Sequence, residues 1–360
     1  MYSDTSLDRL KAEINESALH LKRHINIMEV CGTHTVSIRR AGIHSILPSN
    51  IHLISGPGCP VCVTSTGYID NALNLAEKGR AVIATFGDML KVPGSRGISL
   101  SRFMAGGNVR IVYSPLEILN MAGSSDKPIV FLGVGFETTV PTIATTFLRI
   151  FKEKRENMFL YTGFKTVPIA LDTLLKMPDS RIDAFLLPGH VSVILGEEPY
   201  RGVLEREKGV PGVIAGFEPE DILIAILWIL RQLKEGTNKV QNAYPRAVRP
   251  EGNPKARKII NTLLMPADEL WRGLGMLPGS GLSLRPEYSA LNAKTHFGFK
   301  EEYNYEPPGC LCSEVLQGKL SPPKCPLFGK KCIPEEPVGP CMVSSEGACA
   351  AYYRYGDIKV

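Results

Sequence analysis

The chain lacks a long hydrophobic run. Its most apolar stretch, residues 222–230, is far shorter than the roughly 20 residues a helical bilayer span needs, and it reads as the face of a buried helix. A basic patch is missing too. Lys and Arg number 41 against 36 Asp and Glu, and no Lys/Arg cluster interleaves with aromatics, which sets nucleic acid aside as a partner. Residues 1–22 place Leu7, Leu10, Ile14 and Leu21 near helical spacing among acids, without the apolar core of a signal peptide. With neither span nor leader expected, the reading is a cytoplasmic protein that takes no membrane as partner. In that reducing compartment, nine cysteines argue for metal or redox work before structural disulfides.

What is present is a globular composition, 44% hydrophobic and 21% charged, over 360 residues, too long for one ordinary core. Periodicity predicts strands at 25–30, 51–55, 81–85 and 109–113, with helices at 35–47, 64–78 and 115–121. After a polar break at 123–127, strands at 129–134, 158–161, 184–187 and 212–215 alternate with helices at 138–154, 168–176 and 219–234. This grammar predicts an α/β fold of two domains, residues 1–125 and 126–236, with parallel sheets facing a cleft. No fixed-period repeat links the two series. Residues 87–107, with five glycines, read as a long loop. Beyond residue 236 prolines and glycines break the pattern, and only 255–264 reads as a helix in a mixed region, 237–360, that ends rich in cysteine.

The central stretch is Gly56-Pro-Gly-Cys59-Pro-Val-Cys62-Val-Thr64, which follows an apolar run. Two thiols with two residues between them can close a disulfide or grip a metal, and Pro60 removes backbone freedom that either event would cost. The duller reading is half of a structural zinc site, but no second close Cys-x-x-Cys completes one. A thioredoxin is a single small domain, whereas this chain is several times longer.

Cys31-Gly-Thr-His34-Thr sits where the first strand gives way to a helix, the edge of an open α/β sheet where ligands bind. Helix N–H groups there are expected to lower the Cys31 pKa, making a thiolate suited to iron, with His34 placed to tune it or pass a proton. Otherwise Cys31 is a small buried hydrophobe and His34 caps a turn. The second strand delivers Cys59 and Cys62 to the same edge. Residues 133–139 resemble a glycine-rich phosphate loop, but Thr138 replaces the third glycine, and Glu137 puts a negative charge where a pyrophosphate would sit. No Gly-Lys-Ser/Thr follows, which excludes a Walker loop. Glu137 is therefore a proton carrier or hydrogen-bond acceptor on a cleft wall, or simply favours the helix dipole. His190, in Pro188-Gly-His-Val, follows a strand of the second series and could look with Glu137 toward Cys31.

Cys310, Cys312, Cys325, Cys332, Cys341 and Cys349 lie among prolines and glycines with few hydrophobics, a composition that folds around a metal or cluster. Four thiolates hold a 4Fe-4S cluster and two remain, while zinc would accept four cysteines equally well.

Together, Cys31-Gly-Thr-His-Thr, Gly56-Pro-Gly-Cys-Pro-Val-Cys, Gly135-Phe-Glu-Thr-Thr, Pro188-Gly-His-Val and Val338-Gly-Pro-Cys-Met-Val-Ser-Ser-Glu-Gly-Ala-Cys resemble the HypD family of nickel-iron hydrogenase maturation factors, across nearly the whole chain. The resemblance implies two α/β domains and a cluster-bearing segment. It implies a scaffold on which iron acquires cyanide and carbon monoxide ligands, a HypC chaperone that shares the iron through its own cysteine, and HypE as cyanide donor. It implies that Cys31 is the iron thiolate with His34 beside it. Cys59 and Cys62 are then the redox pair at that iron, and the 4Fe-4S cluster is held by Cys310, Cys325, Cys332 and Cys349, leaving Cys312 and Cys341 as an extra pair. Two other readings use fewer of these residues. One is a stand-alone iron-sulfur disulfide reductase of a thioredoxin-like partner, and the other a zinc-stabilised interaction protein.

Overall fold

The computed structural model describes residues 4–121 and 126–356. Its strands are β1 (Ile25–Glu29), β2 (Ile51–Ser55), β3 (Val82–Thr85), β4 (Val109–Ile111), β5 (Ile129–Gly135), β6 (Met158–Lys165), β7 (Ala184–Pro188), β8 (Gly212–Ala215), β9 (Val240–Asn242), β10 (Leu264–Trp271) and β11 (Gly275–Leu284). They form two sheets. The first has the order β2-β1-β7-β8-β9 with every pairing parallel. The second has the order β10-β11-β6-β5-β3-β4, parallel except for the pairings of β11. All residues of β5 and β6 are buried, as expected of central parallel strands covered on both faces.

The α/β architecture and its parallel strands agree with the sequence pattern, but the strands are dealt out differently. The expected contiguous units, 1–125 and 126–236, are not the sheets. β1 and β2 join β7, β8 and β9, while β3 to β6 join the late hairpin β10–β11. An apolar run records that a strand is buried, not which neighbour buries it. The crossings are made by helices: Thr66–Glu77 carries the chain from β2 into the second sheet, Val167–Lys176 carries it from β6 back to β7, and Pro254–Leu263 carries it from β9 to β10. Of the polar break expected at 123–127, residues 123–125 lie outside the described residues.

Both sheets share one internal order. Taken in chain order within each sheet, the parallel strands run 2-1-3-4, with β9 adding a fifth to the first sheet, so the direction of winding reverses between β1 and β7 and between β3 and β5. Such a switch point opens a crevice beyond the carboxyl ends of the two strands. Cys31 and His190 follow β1 and β7, and Glu137 follows β5.

The helix Asp4–Leu21 packs on Pro219–Glu235 through Ile14 and Ala18, with Arg231 Nη2 2.7 Å from Glu13 Oε2. The segment from Gly309 onward has no strand among the described residues. It consists of short turns and the helices Cys312–Leu316 and Ala348–Tyr355. The last of these lies on the helix Gly32–Arg40, where the Arg39 guanidinium sits 3.5 Å from the Tyr352 ring centre. Among the described residues, no helix is long and apolar enough to cross a membrane.

Candidate functional site

In the parallel register Glu29 pairs with Ser55 on one side and Leu186 on the other, so the loops after β2, β1 and β7 leave the sheet side by side. That brings Cys59, Cys31 and His190 to one edge. Two hydrogen bonds lock the first two loops: Gly56 N–H donates to Glu29 O at 2.8 Å and Gly32 N–H to Gly58 O at 3.0 Å. A Cβ at residue 58 would stand 2.5 Å from Cys31 N and 2.7 Å from its Cα, so only glycine permits this approach. Cys31 and Cys59 have matching extended backbones, each capping the helix that follows. Beneath them Glu29 is buried. It accepts from Ser55 Oγ at 2.7 Å, Oε2 has no partner among the described residues, and burial raises its pKa.

The expected lowering of the Cys31 pKa is overturned. Burial pushes the thiol up to about 11, outweighing the lowering by His34 and Thr33 N–H groups, and the field of Glu346 adds to the rise. Helix N–H groups are present as expected, but the missing water costs an anion more than they return. Cys31 is thus held as a thiol. His34 is fully buried, and its Nε2 lies 2.9 Å from Gly216 O, which assigns the proton to Nε2 and leaves Nδ1 without a partner among the described residues. Burial lowers its pKa to about 4, so the ring is neutral. Both His34 and His190 stack against Phe217, at centroid distances of 4.8 and 4.0 Å.

Glu137 enters from the second sheet. It is 3% exposed, accepts from Val167 N–H at 3.0 Å, and leaves Oε2 buried without a partner among the described residues. Burial raises its pKa to about 7. Tyr200 stands between the two loops, where it feels the charges of both Glu137 and Cys31.

The other thiols form a continuous series, and all nine cysteines are free. Cys62 is within hydrogen-bonding reach of both Cys59 and Cys341, and its S–H also points to Pro340 O at 3.8 Å. Cys341, fully buried, reaches Cys62 on one side and Cys312 and Cys349 on the other, and these hydrogen bonds, Cys312's first, hold it well below the usual thiol range. Burial raises the Cys62 pKa; Cys312 raises those of Cys310 and Cys349 by hydrogen bonding. Cys310, Cys312, Cys325, Cys332 and Cys349 line one cavity walled by Leu327, Phe328 and Met342, while Cys341 lies outside it, toward Cys62. No group of three His, Cys, Asp or Glu side chains among the described residues is gathered tightly enough for a single metal ion.

Two residues escaped the sequence reading. Thr33 Oγ1 donates to Glu346 Oε1 at 2.8 Å, bringing a carboxylate from the cysteine-rich segment beside Cys31 and His190. Its signal was its place in Ser344-Ser-Glu-Gly-Ala-Cys. Arg272 directly follows β10, in the field of Cys312, Cys341, Cys310 and Cys62, and had no signal, because β10 does not read as a strand in the sequence.

The chain has relatives. The HypD family model, described as "Hydrogenase formation hypA family", matches residues 5–356. Hydrogenase maturation factor HypD of Escherichia coli is 41% identical over 353 residues, 96% of this chain and 94% of that protein. The HypD of Azotobacter vinelandii is 42% identical over 343 residues, covering 93% and 90%, and the HypD2 of Bradyrhizobium diazoefficiens is 42% identical over 347 residues, covering 94% and 91%. With its thiol-lined sheet edge and cysteine-rich segment, the chain belongs to the HypD family of hydrogenase maturation factors.

Proposed function

We propose that this maturation factor is the scaffold on which the iron of a nickel-iron active site receives cyanide and carbon monoxide, under redox control by the thiol series. The observation that carries this reading is the unbroken run of thiols from the cavity through Cys312 and Cys341 to Cys62 and Cys59, ending against the backbone of Cys31.

The cavity fits a cluster better than one ion. Its walls are apolar, it has more thiols than a site needs, and they stand too far apart for a single cation. Cys310, Cys325, Cys332 and Cys349 would hold a 4Fe-4S cluster, which supplies single electrons when bound. Cys312 faces both the cavity and Cys341. In this reading the remaining two, Cys312 and Cys341, would serve as a dithiol/disulfide couple between cavity and sheet edge.

The transfer uses this chain's own sulfurs. The Cys341 thiolate of the reduced couple attacks Cys62 Sγ of a Cys59–Cys62 disulfide; a Cys341–Cys62 bond forms and Cys59 leaves as thiolate. Cys312 then attacks Cys341 Sγ, closing Cys312–Cys341 and releasing Cys62. Two electrons have moved toward Cys31 and no thiol is consumed. At the sheet edge Cys31 binds the iron as cargo, giving up its proton to do so. The Cys59/Cys62 dithiol sets the redox state of that iron. Neutral His34 orients by its Nε2–H bond, and Glu137 can take or give a proton near neutral pH. HypC as the chaperone sharing the iron and HypE as the cyanide donor complete the reading, in the cytoplasm.

The decisive experiment replaces Cys31 with Ala and records the infrared spectrum of the copurified complex. The expected result is loss of the cyanide and carbonyl bands with the visible absorption of the cluster retained. An unchanged set of bands would sink the assignment.

A further inference from the structure

Arg272, at the end of β10, is 3% exposed. Its backbone N–H donates to Val63 O at 2.8 Å, one residue beyond Cys62. The next residue, Gly273, lies against Ser313, one residue beyond Cys312, where an added Cβ would stand 3.2 Å from Ser313 Cα. Arg272 is therefore clamped between two cysteine-bearing segments. Its Nε donates to Thr64 O at 3.1 Å and Nη1 to Tyr305 O at 3.2 Å, while Nη2 is buried with no partner among the described residues.

A buried guanidinium is costly unless an anion answers it. Arg272 forms no ion pair with a carboxylate among the described residues. The carboxylate that feels its field, Glu306, is occupied by Ser313, through its N–H at 3.1 Å and its hydroxyl. Besides Glu306, the groups near Arg272 that can become negative include Cys312, Cys341, Cys310 and Cys62. Arginine stays protonated in proteins, so the charge is permanent.

We propose that Arg272 is a positioning residue for the redox series, its fixed positive charge favouring the reduced thiols beside it and so raising the reduction potential of the Cys59–Cys62 disulfide. The inference rests on the redox reading given above. When that disulfide takes up two electrons its S–S bond breaks and two thiolates form; solvent protons return to them less completely beside a fixed cation, so negative charge is left on sulfur. The oxidised pair is neutral and gains little from a nearby cation, whereas the reduced pair gains attraction undiminished by water. The difference between the two states is what a potential reports.

The test uses the full chain with its cofactor, held without oxygen in mixtures of reduced and oxidised dithiothreitol at one pH. Dithiothreitol supplies the two electrons and closes to its cyclic disulfide. Alkylation and mass spectrometry of the peptide carrying Cys59 and Cys62 read the fraction reduced. Arg272→Gln should lower the equilibrium constant for reduction about tenfold, ~30 mV for a two-electron couple, and Arg272→Lys should stay within about threefold of the parent. An Arg272→Gln protein within about threefold of the parent overturns the inference while leaving the redox reading intact. Arg272→Lys falling as far as Arg272→Gln also overturns it, since the effect would then belong to hydrogen-bond geometry and not to charge. A parent in which Cys59 and Cys62 never pair in any mixture overturns the redox reading and this inference together. Should Arg272→Gln not fold, Arg272→Lys decides alone: a parent-like constant supports the role of charge, and a tenfold fall refutes it.

Discussion

Two regions of this molecule carry cysteines, and they are built on opposite plans. Cys31, Cys59 and Cys62 sit at the ends of adjacent parallel strands, fixed by register, by two backbone hydrogen bonds and by a glycine with no room for a methyl group. Cys310 to Cys349 hang on short helices and turns with no strand beneath them, arranged around a cavity lined by their own sulfurs. The fold itself sets the sheet edge, whereas the loop region encloses a cavity. On the proposed function the first plan suits a scaffold that receives cargo, and the second suits a resident cluster.

The largest expected effect breaks the comparison at that point. If the proposed cluster fills that cavity, stripping it from the anaerobic protein with a chelator should leave β1 and β2 protected from amide exchange. Residues 309–347 should exchange on the order of a hundredfold faster or more, a local loss of about 2.7 kcal/mol. Equal acceleration in β1 and β2 would show that the sheet edge depends on the cofactor as well.

Alanine at two glycines sharpens the same contrast. At Gly58 the added Cβ meets backbone, Cys31 N at 2.5 Å, which cannot step aside, and about 3 kcal/mol of stability should be lost in urea unfolding. At Gly339 it meets the Sγ atoms of Cys312 and Cys310 at 2.6 and 2.7 Å, side-chain ends that can turn. There the expected loss is about 1 kcal/mol, with a changed cluster absorption as the more sensitive readout. Equal losses at both positions would refute the view that one region is rigid and the other adaptable.

Glu137 tests how much buried charge the sheet-borne part tolerates. Its pKa is raised by burial from 4.5 to about 7. The folded state therefore binds more protons than the unfolded one between those values, and stability falls as pH rises through that window. Glu137→Gln should be neutral at pH 4 and stabilise by about 3 kcal/mol at pH 8, about 2.5 pKa units at 1.36 kcal/mol each. A pH-independent difference in thermal unfolding between the two proteins would contradict the raised pKa.

The same division explains what the sequence could reveal. Cys31, Cys59, His190 and Glu137 were legible as strand-end residues because each follows a short apolar run, and parallel strands send such residues to one edge. Which sheet each strand joins was not legible. Val82–Thr85 reads like Ile51–Ser55, yet a helix carries it into the other sheet. The β10–β11 hairpin was missed because Pro266, Gly279 and Gly281 interrupt its alternation, and with it went Arg272 and Trp271, whose bridge to Thr64 ties the hairpin to the cysteine turn. The direction of the Cys31 shift was misread because helix N–H groups are visible in a sequence and the depth of burial is not.

The smallest expected effect concerns the link between the two regions. Thr33, two residues beyond Cys31, donates to Glu346, three residues before Cys349, at 2.8 Å. A backbone contact reinforces this link, since a Cβ on Gly32 would stand 2.3 Å from Glu346 O. If the sheet edge is rigid and the loop region rests on it, the side-chain bond adds little to a contact that backbone packing already holds. Thr33→Val should then cost about 1 kcal/mol, the worth of one half-buried hydrogen bond to a carboxylate partly open to water. The cost should vanish in the Glu346→Ala background if the bond is the whole of the effect, which a double-mutant cycle in urea reads directly. A loss of about 3 kcal/mol or more from Thr33→Val would mean that the bond, and not the packing, holds the two regions in register. The sheet edge would then be no more independent of the cysteine-rich segment than that segment is of its cofactor.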